Sequence, residues 1–475
     1  MQKYIEREHN KEYDDSIKSK IEINNELNNC LINISICFKN GNPIRLLSQL
    51  NVLNNITTDH FFEPNYLYLS NEIPTILMQI AFDKHKRFSI KCVLTAMSII
   101  ENLTFDEIYG HFPFFNELDI MTSACLSLLS ENPDIKIYSL KILINCAWID
   151  NSNIQLILNT FPLEELLNIL TNDSFPEQVE RRIKYYTASL LYVLSMAQIK
   201  SFIPCFYAAA DYILNLKIPQ TDLFILWIVL NCVDSDPDTL NQFLSNPELM
   251  NLLQYCIEIN QNYSRLKPAV LIIEKIFEKY PETSQNFDIS PLLKFLYSSN
   301  NIFNNSVENE NYVRKENCFE NDDEFVDSVF KIFQNVAKIQ FYPFFCDFSF
   351  LSICFQFFSV KCFAIKCSIA MFFCILLENS DISQIHLLIH AHITQMIMEM
   401  IEAENEIYTM ILALVKLFEC ANIYDNETFN LFFSEFSTDT IDSINIFEFK
   451  DDNLHLFIDK LKLQFNEIVK GKNIE

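Results

Sequence analysis

Apolar residues recur along this chain at i, i+3, i+4 and i+7, the spacing that lines one face of a 3.6-residue helix. Leu163, Leu166, Leu167 and Leu170 show it, as do Leu249, Leu252, Leu253 and Cys256, and Phe206, Ala209, Ala210 and Ile213. Each set follows a proline. Pro74, Pro113, Pro162, Pro204, Pro247 and Pro291 stand 39, 49, 42, 43 and 44 residues apart. Proline suits a first helical turn because the N–H it lacks would be unpaired there in any case. A period of about 40–45 residues with helices inside each period predicts a stacked helical array.

A second mark has the same rhythm. A nearly all-apolar run ends in apolar–x–Asn–apolar at Leu53–Ile56, Ile100–Leu103, Leu143–Cys146, Val229–Cys232 and Phe333–Val336. In Ile137–Ile149 the polar interruptions are Ser139, Lys141 and Asn145. A helix apolar all round is buried between neighbours. Lys141 and Asn145 lie four apart on one face, so that stripe is expected to meet a wet groove. Polar turns follow at Asp150–Asn153, Asp234–Pro237 and Glu378–Asp381. Each unit therefore reads as short helix, proline-started helix, turn and long buried helix.

The expected layout is an all-α solenoid. Residues 1–40 read as an N-terminal helical cap, 41–425 as the repeats and 426–475 as a C-terminal helical cap, since terminal repeats need a polar outer face. Residues at about 299–324 are polar, acidic and Asn-rich, a composition that cannot bury enough surface to order itself. They are expected to form a flexible loop inside one repeat, with a break between two solenoid halves as the alternative.

Composition narrows the chemistry. The 475 residues include only three glycines, Gly41, Gly110 and Gly471. Phosphate-cradling loops, dinucleotide fingerprints and nucleophile elbows need several, so no cofactor and no enzymatic role are expected. The formal charge of −27 is spread along the chain. It disfavours direct nucleic-acid binding, which needs a basic footprint, and would attract a basic protein or peptide. The 15 cysteines contain no CxxC pair and sit in apolar runs, as reduced buried thiols do, which suits a cytoplasmic or nuclear protein. The N-terminus lacks the apolar stretch of a signal peptide. The most apolar region, Phe344–Leu377, is broken by Asp347, Gln356, Lys361 and Lys366, so no membrane span is expected.

Two metal-like patterns fail on their details. Asp234, Asp236 and Asp238 open like a calcium loop, but Thr239 and Ser245 stand where its glycine and bidentate glutamate belong. His386 and His390 are four apart with His392 nearby, but Leu387 follows His386 where a zinc-protease motif has glutamate. A turn cap and a polar helix face are the plainer readings.

The three-helix unit with asparagine near the end of its third helix resembles the armadillo repeat, over residues 41 to 470 as about nine or ten repeats. Ser130–Ala147 is the stretch most similar to that family's third helix. The resemblance implies a right-handed α-solenoid whose third helices line a concave groove. It implies a non-catalytic scaffold or adaptor that binds a protein or peptide there and takes no small-molecule substrate. Asn55, Asn102, Asn145, Asn231 and Asn335 would then hold a bound backbone, an amide offering both donor and acceptor. Trp227 and Asn231, spaced W-x-x-x-N, are similar to the pairs with which importin-alpha cradles a basic peptide, and so imply nuclear import as the alternative. The equivalent positions elsewhere are Asn51, Ser98, Lys141 and Lys331, and the two lysines are expected to repel a basic ligand. The family's glycine between first and second helices is missing.

Overall fold

The computed structural model describes residues 17–59, 66–70, 72–83, 85–105, 110–216, 220–259, 263–293, 322–339, 343–403, 406–435 and 452–472, with 64, 218, 295, 296 and 444 singly. Every regular element among them is a helix. The long helices are numbered here: α1 Ile17–Lys39, α2 Pro43–Asp59, α3 Ile90–Thr104, α4 Pro133–Ile149, α5 Glu177–Ser195, α6 Thr221–Ser235, α7 Tyr263–Lys279, α8 Asp323–Ile339, α9 Phe363–Asn379, α10 Ile407–Ile423 and α11 Asp452–Lys472. Shorter helices are given by their residues.

The chain forms two compact units, Met1–Phe243 and Leu244–Glu475. In the first, each long helix from α1 to α6 packs on the next in chain order. In the second, α7 packs on α8, α8 on α9 and α9 on α10. The shorter helices cover the outside of these rows, as Ile73–Ala81 does on α3 and Leu163–Thr171 on α5. This is the all-α solenoid architecture that the sequence period implies.

Local chemistry sets the element ends. Asn132 caps α4, its Oδ1 accepting from the N–H groups of Asp134 at 2.9 Å and Ile135 at 3.3 Å, with Pro133 in the first turn. Ser89 caps α3, and Asp150, Asp347, Asp381 and Asp425 cap four shorter helices. Such side chains satisfy backbone donors that have no partner inside the helix. Asp381 and Gln384 complete a reciprocal capping box. The prolines fall as expected: Pro74 and Pro113 lie in first turns, Pro247 opens Pro247–Ile259, and Pro162 immediately precedes Leu163–Thr171.

The missing glycine has a structural counterpart. Glu72, Asp119, Gln220, His392 and Glu406 each precede a helix with φ between 45° and 73°. Glu72, Asp119 and His392 stand before shorter helices, where the glycine is missing, and Gln220 and Glu406 before the long helices α6 and α10; all five adopt the left-handed turn without the residue that does so at no steric cost.

The core of the second unit is built from phenylalanine. Phe333 of α8 packs on Phe345 at 5.8 Å, Phe350 at 5.7 Å and Phe372 of α9 at 6.1 Å, mostly edge to face. All four are fully buried. In the first unit, α3 and α4 bury Ile99, Ile100, Ile142, Leu143 and Cys146.

The stretch expected to loop at 299–324 lies outside the described residues as far as 321. From Asp323 the chain is already helix α8, because Phe325, Val326 and Val329 begin its buried face there. No described helix is long and apolar enough to cross a membrane.

Candidate functional site

The ladder asparagines sit near the C-terminal ends of the long helices, but their amides reach sideways to the preceding repeat. Asn102 of α3 donates to the hydroxyls of Thr57 and Thr58 on α2, both at 3.2 Å. Asn145 of α4 donates to the Glu101 carbonyl at 2.9 Å and to Thr104 Oγ1 at 3.3 Å, at the end of α3. Asn231 of α6, only 9% exposed, donates to Ser195 Oγ of α5 at 2.8 Å. Helices end in carbonyls without intrahelical partners, so an amide from the adjacent helix is a natural clip. Asn335 of α8 instead accepts from Lys338 Nζ at 3.0 Å, and Asn55 of α2 is exposed.

Two further clips fall outside the apolar–x–Asn–apolar matches. Asn379 of α9 donates to the Ala337 carbonyl of α8 at 2.9 Å. Lys416 of α10 does the same job on α9, reaching the Glu378 carbonyl at 2.8 Å. Asn379 stands two residues past Leu377, as Asn102 stands two past Ile100, but Ser380 follows it where the motif has an apolar residue, and Lys416 is a different donor. Only the shared spacing of roughly 40 residues would have pointed to them.

The Lys141–Asn145 stripe does not open on a groove as expected. Lys141 Nζ lies 3.2 Å from Glu101 Oε1 on α3, and its side chain is 19% exposed. It also sits over the rings of Tyr138, at 5.6 Å, and Tyr186 of α5, at 5.5 Å. Lys331 of α8 is held likewise, 3.4 Å from Glu274 of α7 and 2.9 Å from Asp327. The expected repulsion of a basic ligand is therefore corrected: both charges are neutralised by carboxylates, Glu101 and Glu274 reaching from the preceding long helix across a distance no local spacing reveals, and Asp327 from four residues earlier on the same helix.

The exposed part of this face is aromatic. Trp148 of α4 meets Tyr192 of α5 edge-on at 5.8 Å, and Tyr192 meets Trp227 of α6 at 6.3 Å. Phe224 stacks beneath Tyr192 at 5.9 Å and touches Tyr185 at 5.3 Å. Trp148 is 40% exposed and Trp227 half-buried, while burial pushes the Tyr192 phenol up to about 12. These are the only two tryptophans in the chain. Trp227 was anticipated; Trp148 was not, although it lies three residues past Asn145 on the same helix face.

Other polar clusters are closed on themselves. An open cleft of about 340 Å³ between α5 and the end of Ile203–Leu216 is lined by charged side chains. There Lys184 pairs with Asp173 at 2.5 Å and Arg181 with Glu177 at 2.6 Å. His386 stacks on Tyr424 at 3.8 Å, lies 4.5 Å from His390, and holds Thr428 Oγ1 at 2.9 Å from Nδ1. Asp236 caps the turn Pro237–Thr239. Among the described residues no group of three His, Cys, Asp or Glu side chains could hold a metal ion. Burial pushes the thiols of Cys30, Cys125 and Cys232 up to about 12, away from nucleophilic use.

Stacked three-helix units with third helices in register define an armadillo-like repeat fold, and two solved structures with TM-scores above 0.5 agree. An engineered protein matches 91% of this chain and 99% of its own with a TM-score of 0.56 at 10% identity. A structure from work on a phosphorylation switch that controls the interaction between cadherin and beta-catenin matches 82% of this chain and 75% of its own with a TM-score of 0.59 at 12% identity. A designed armadillo repeat protein matches 51% of this chain and 99% of its own with a TM-score of 0.41 at 13% identity. No protein-family model matches the chain, and no curated protein matches it by sequence. The chain is a divergent armadillo-like repeat protein in fold.

Proposed function

We propose that this chain is a non-catalytic protein-binding solenoid, a scaffold or adaptor that takes an extended segment or helix of a partner protein on the face of α4, α5 and α6. The observation that carries this reading is the Trp148–Tyr192–Trp227 strip, which spans three successive long helices and leaves both indoles partly in water. Half-exposed tryptophans are costly to leave wet and are enriched where partners bind. A fold shared with a structure from cadherin–beta-catenin work is in keeping with such a face. The formal charge of −27 favours a basic partner, and the buried reduced thiols suit the cytoplasm or nucleus.

The amides of Asn102, Asn145 and Asn231 already serve the preceding repeat, so in this reading they position the long helices that carry the strip. Nuclear import of basic cargo is the second reading, and it rests on Trp227 and Asn231 lying four residues apart.

The test is affinity capture from lysate with Trp148→Ala/Trp227→Ala beside wild type. Asn231 is left intact because its loss would disturb the α5–α6 contact. A defined partner should be retained by wild type and lost by at least about thirtyfold in the double variant. Basic-motif nuclear proteins lost together would favour import. Identical partner sets from both proteins would sink the reading.

A further inference from the structure

We propose that Lys141 and Lys331 are built-in occupants of the cation subsites on the long-helix face, so that the chain excludes polybasic partners and leaves only the tryptophan strip open. The inference rests on the proposed use of that face. Its observations are a repeated register and a repeated pairing. Four residues before the ladder asparagine stands Trp227 in one repeat, and Lys141 and Lys331 in two others.

Lys141 Nζ occupies a box made of one carboxylate and two rings. It is 3.2 Å from the Glu101 carboxylate and between two ring faces, Tyr138 at 5.6 Å and Tyr186 at 5.5 Å. A carboxylate with flanking aromatic faces is the chemistry that recognises a lysine side chain. Three long helices contribute to it: Glu101 from α3, Tyr138 and Lys141 from α4, and Tyr186 from α5. The site is therefore formed by stacking of repeats, as a ligand subsite would be, and a side chain of the protein fills it.

The second unit repeats the carboxylate pairing without the rings. Lys331 takes Glu274 of the preceding helix at 3.4 Å and Asp327 at 2.9 Å, and its side chain remains 45% exposed. Hydrogen bonds and charges from these two carboxylates outweigh the opposing effect of burial and hold the Lys331 ammonium protonated above its usual range. By contrast, no described lysine or arginine lies over Trp148, Tyr192 or Trp227. The consequence is selective. A run of basic residues finds these subsites already filled, whereas a partner with one long side chain in register with Trp227 meets no competitor.

Removing the occupant should open the subsite. The probe is a short peptide of alternating lysine and arginine, titrated against full-length wild type, Lys141→Ala, Lys141→Met and Lys141→Ala/Glu101→Gln, with circular dichroism melts confirming the fold. Lys141→Ala should bind at least about tenfold tighter than wild type at low salt. The gain should vanish at high salt and in the double variant, and Lys141→Met should show none, because its stem still fills the box. A folded Lys141→Ala with no gain, or an equal gain in the double variant, would overturn the proposal. If Lys141→Ala does not fold, Lys331→Ala carries the same test at its carboxylate pair, its lysine being nearly half exposed. The readout uses only the added peptide. A loss of the natural-partner reading would therefore leave Trp148→Ala/Trp227→Ala capture unchanged without affecting this result.

Discussion

Replacing Asn145 by alanine tests whether the ladder amides hold neighbouring repeats together. The change removes two hydrogen bonds, one to the Glu101 carbonyl at 2.9 Å and one to Thr104 Oγ1 at 3.3 Å. A net hydrogen bond contributes about 1 kcal/mol, and the Glu101 carbonyl keeps only the bond from Thr104 Oγ1 at 3.3 Å, so the loss of two bonds should cost about 2 kcal/mol. Alanine's better helix propensity returns only about 0.5 kcal/mol of this. With a urea dependence of about 3 kcal/mol/M, the midpoint should fall by about 0.5 M. Both tryptophans lie within the first unit, in α4 and α6, so their fluorescence follows its unfolding without interference from the second. Asn55→Ala is the matched control, since Asn55 is exposed, and it should shift the midpoint by less than about 0.2 M. Equal midpoints for wild type and Asn145→Ala would refute the clip as a stabilising element.

Three further outcomes follow from the same physics. Phe333→Ala empties the centre of the phenylalanine cluster among Phe345, Phe350 and Phe372 and should cost about 3–5 kcal/mol, read by circular dichroism and not by tryptophan emission. Gln220→Gly relieves a left-handed backbone at φ 73° ahead of α6 and should stabilise the first unit by up to about 1 kcal/mol, offset in part by a floppier unfolded chain; a lower midpoint would contradict the strain. Burial, and then the charge of His390, lower the His386 pKa below 6.5, with Asp425 and Glu427 opposing. The unfolded chain thus binds that proton more readily, so stability should fall as pH drops below about 6.5, and His386→Phe should flatten that slope in melts followed by circular dichroism.

Much of the fold was legible because its signals are local. The proline phase, the i, i+3, i+4, i+7 sets and the Asn132–Pro133 cap are decided within one turn of helix. The ladder spacing was legible as well, and the asparagines do recur at equivalent places. What they touch was not, because Thr57, Glu101 and Ser195 lie 36 to 45 residues from the amides that reach them. The same distance hid the Glu101 partner of Lys141 and turned an expected repulsion into an ion pair. Trp148 was passed over because it stands outside the W-x-x-x-N spacing, and only stacking of α4 on α5 brings it to Tyr192. The left-handed turns at Asp119 and Gln220 were invisible because the residues there do not advertise them as glycine would.

The most direct measurement is site-specific photo-crosslinking to the captured partner, with a photoreactive phenylalanine placed in turn at Trp227, at Ser98 and at Asn168. Asn168 lies on the shorter helix Leu163–Thr171, away from the long-helix row. Crosslinks from Trp227, weaker ones from Ser98 and none from Asn168 would establish the long-helix face of the first unit as the binding surface. Crosslinks from Asn168 as strong as those from Trp227 would contradict it.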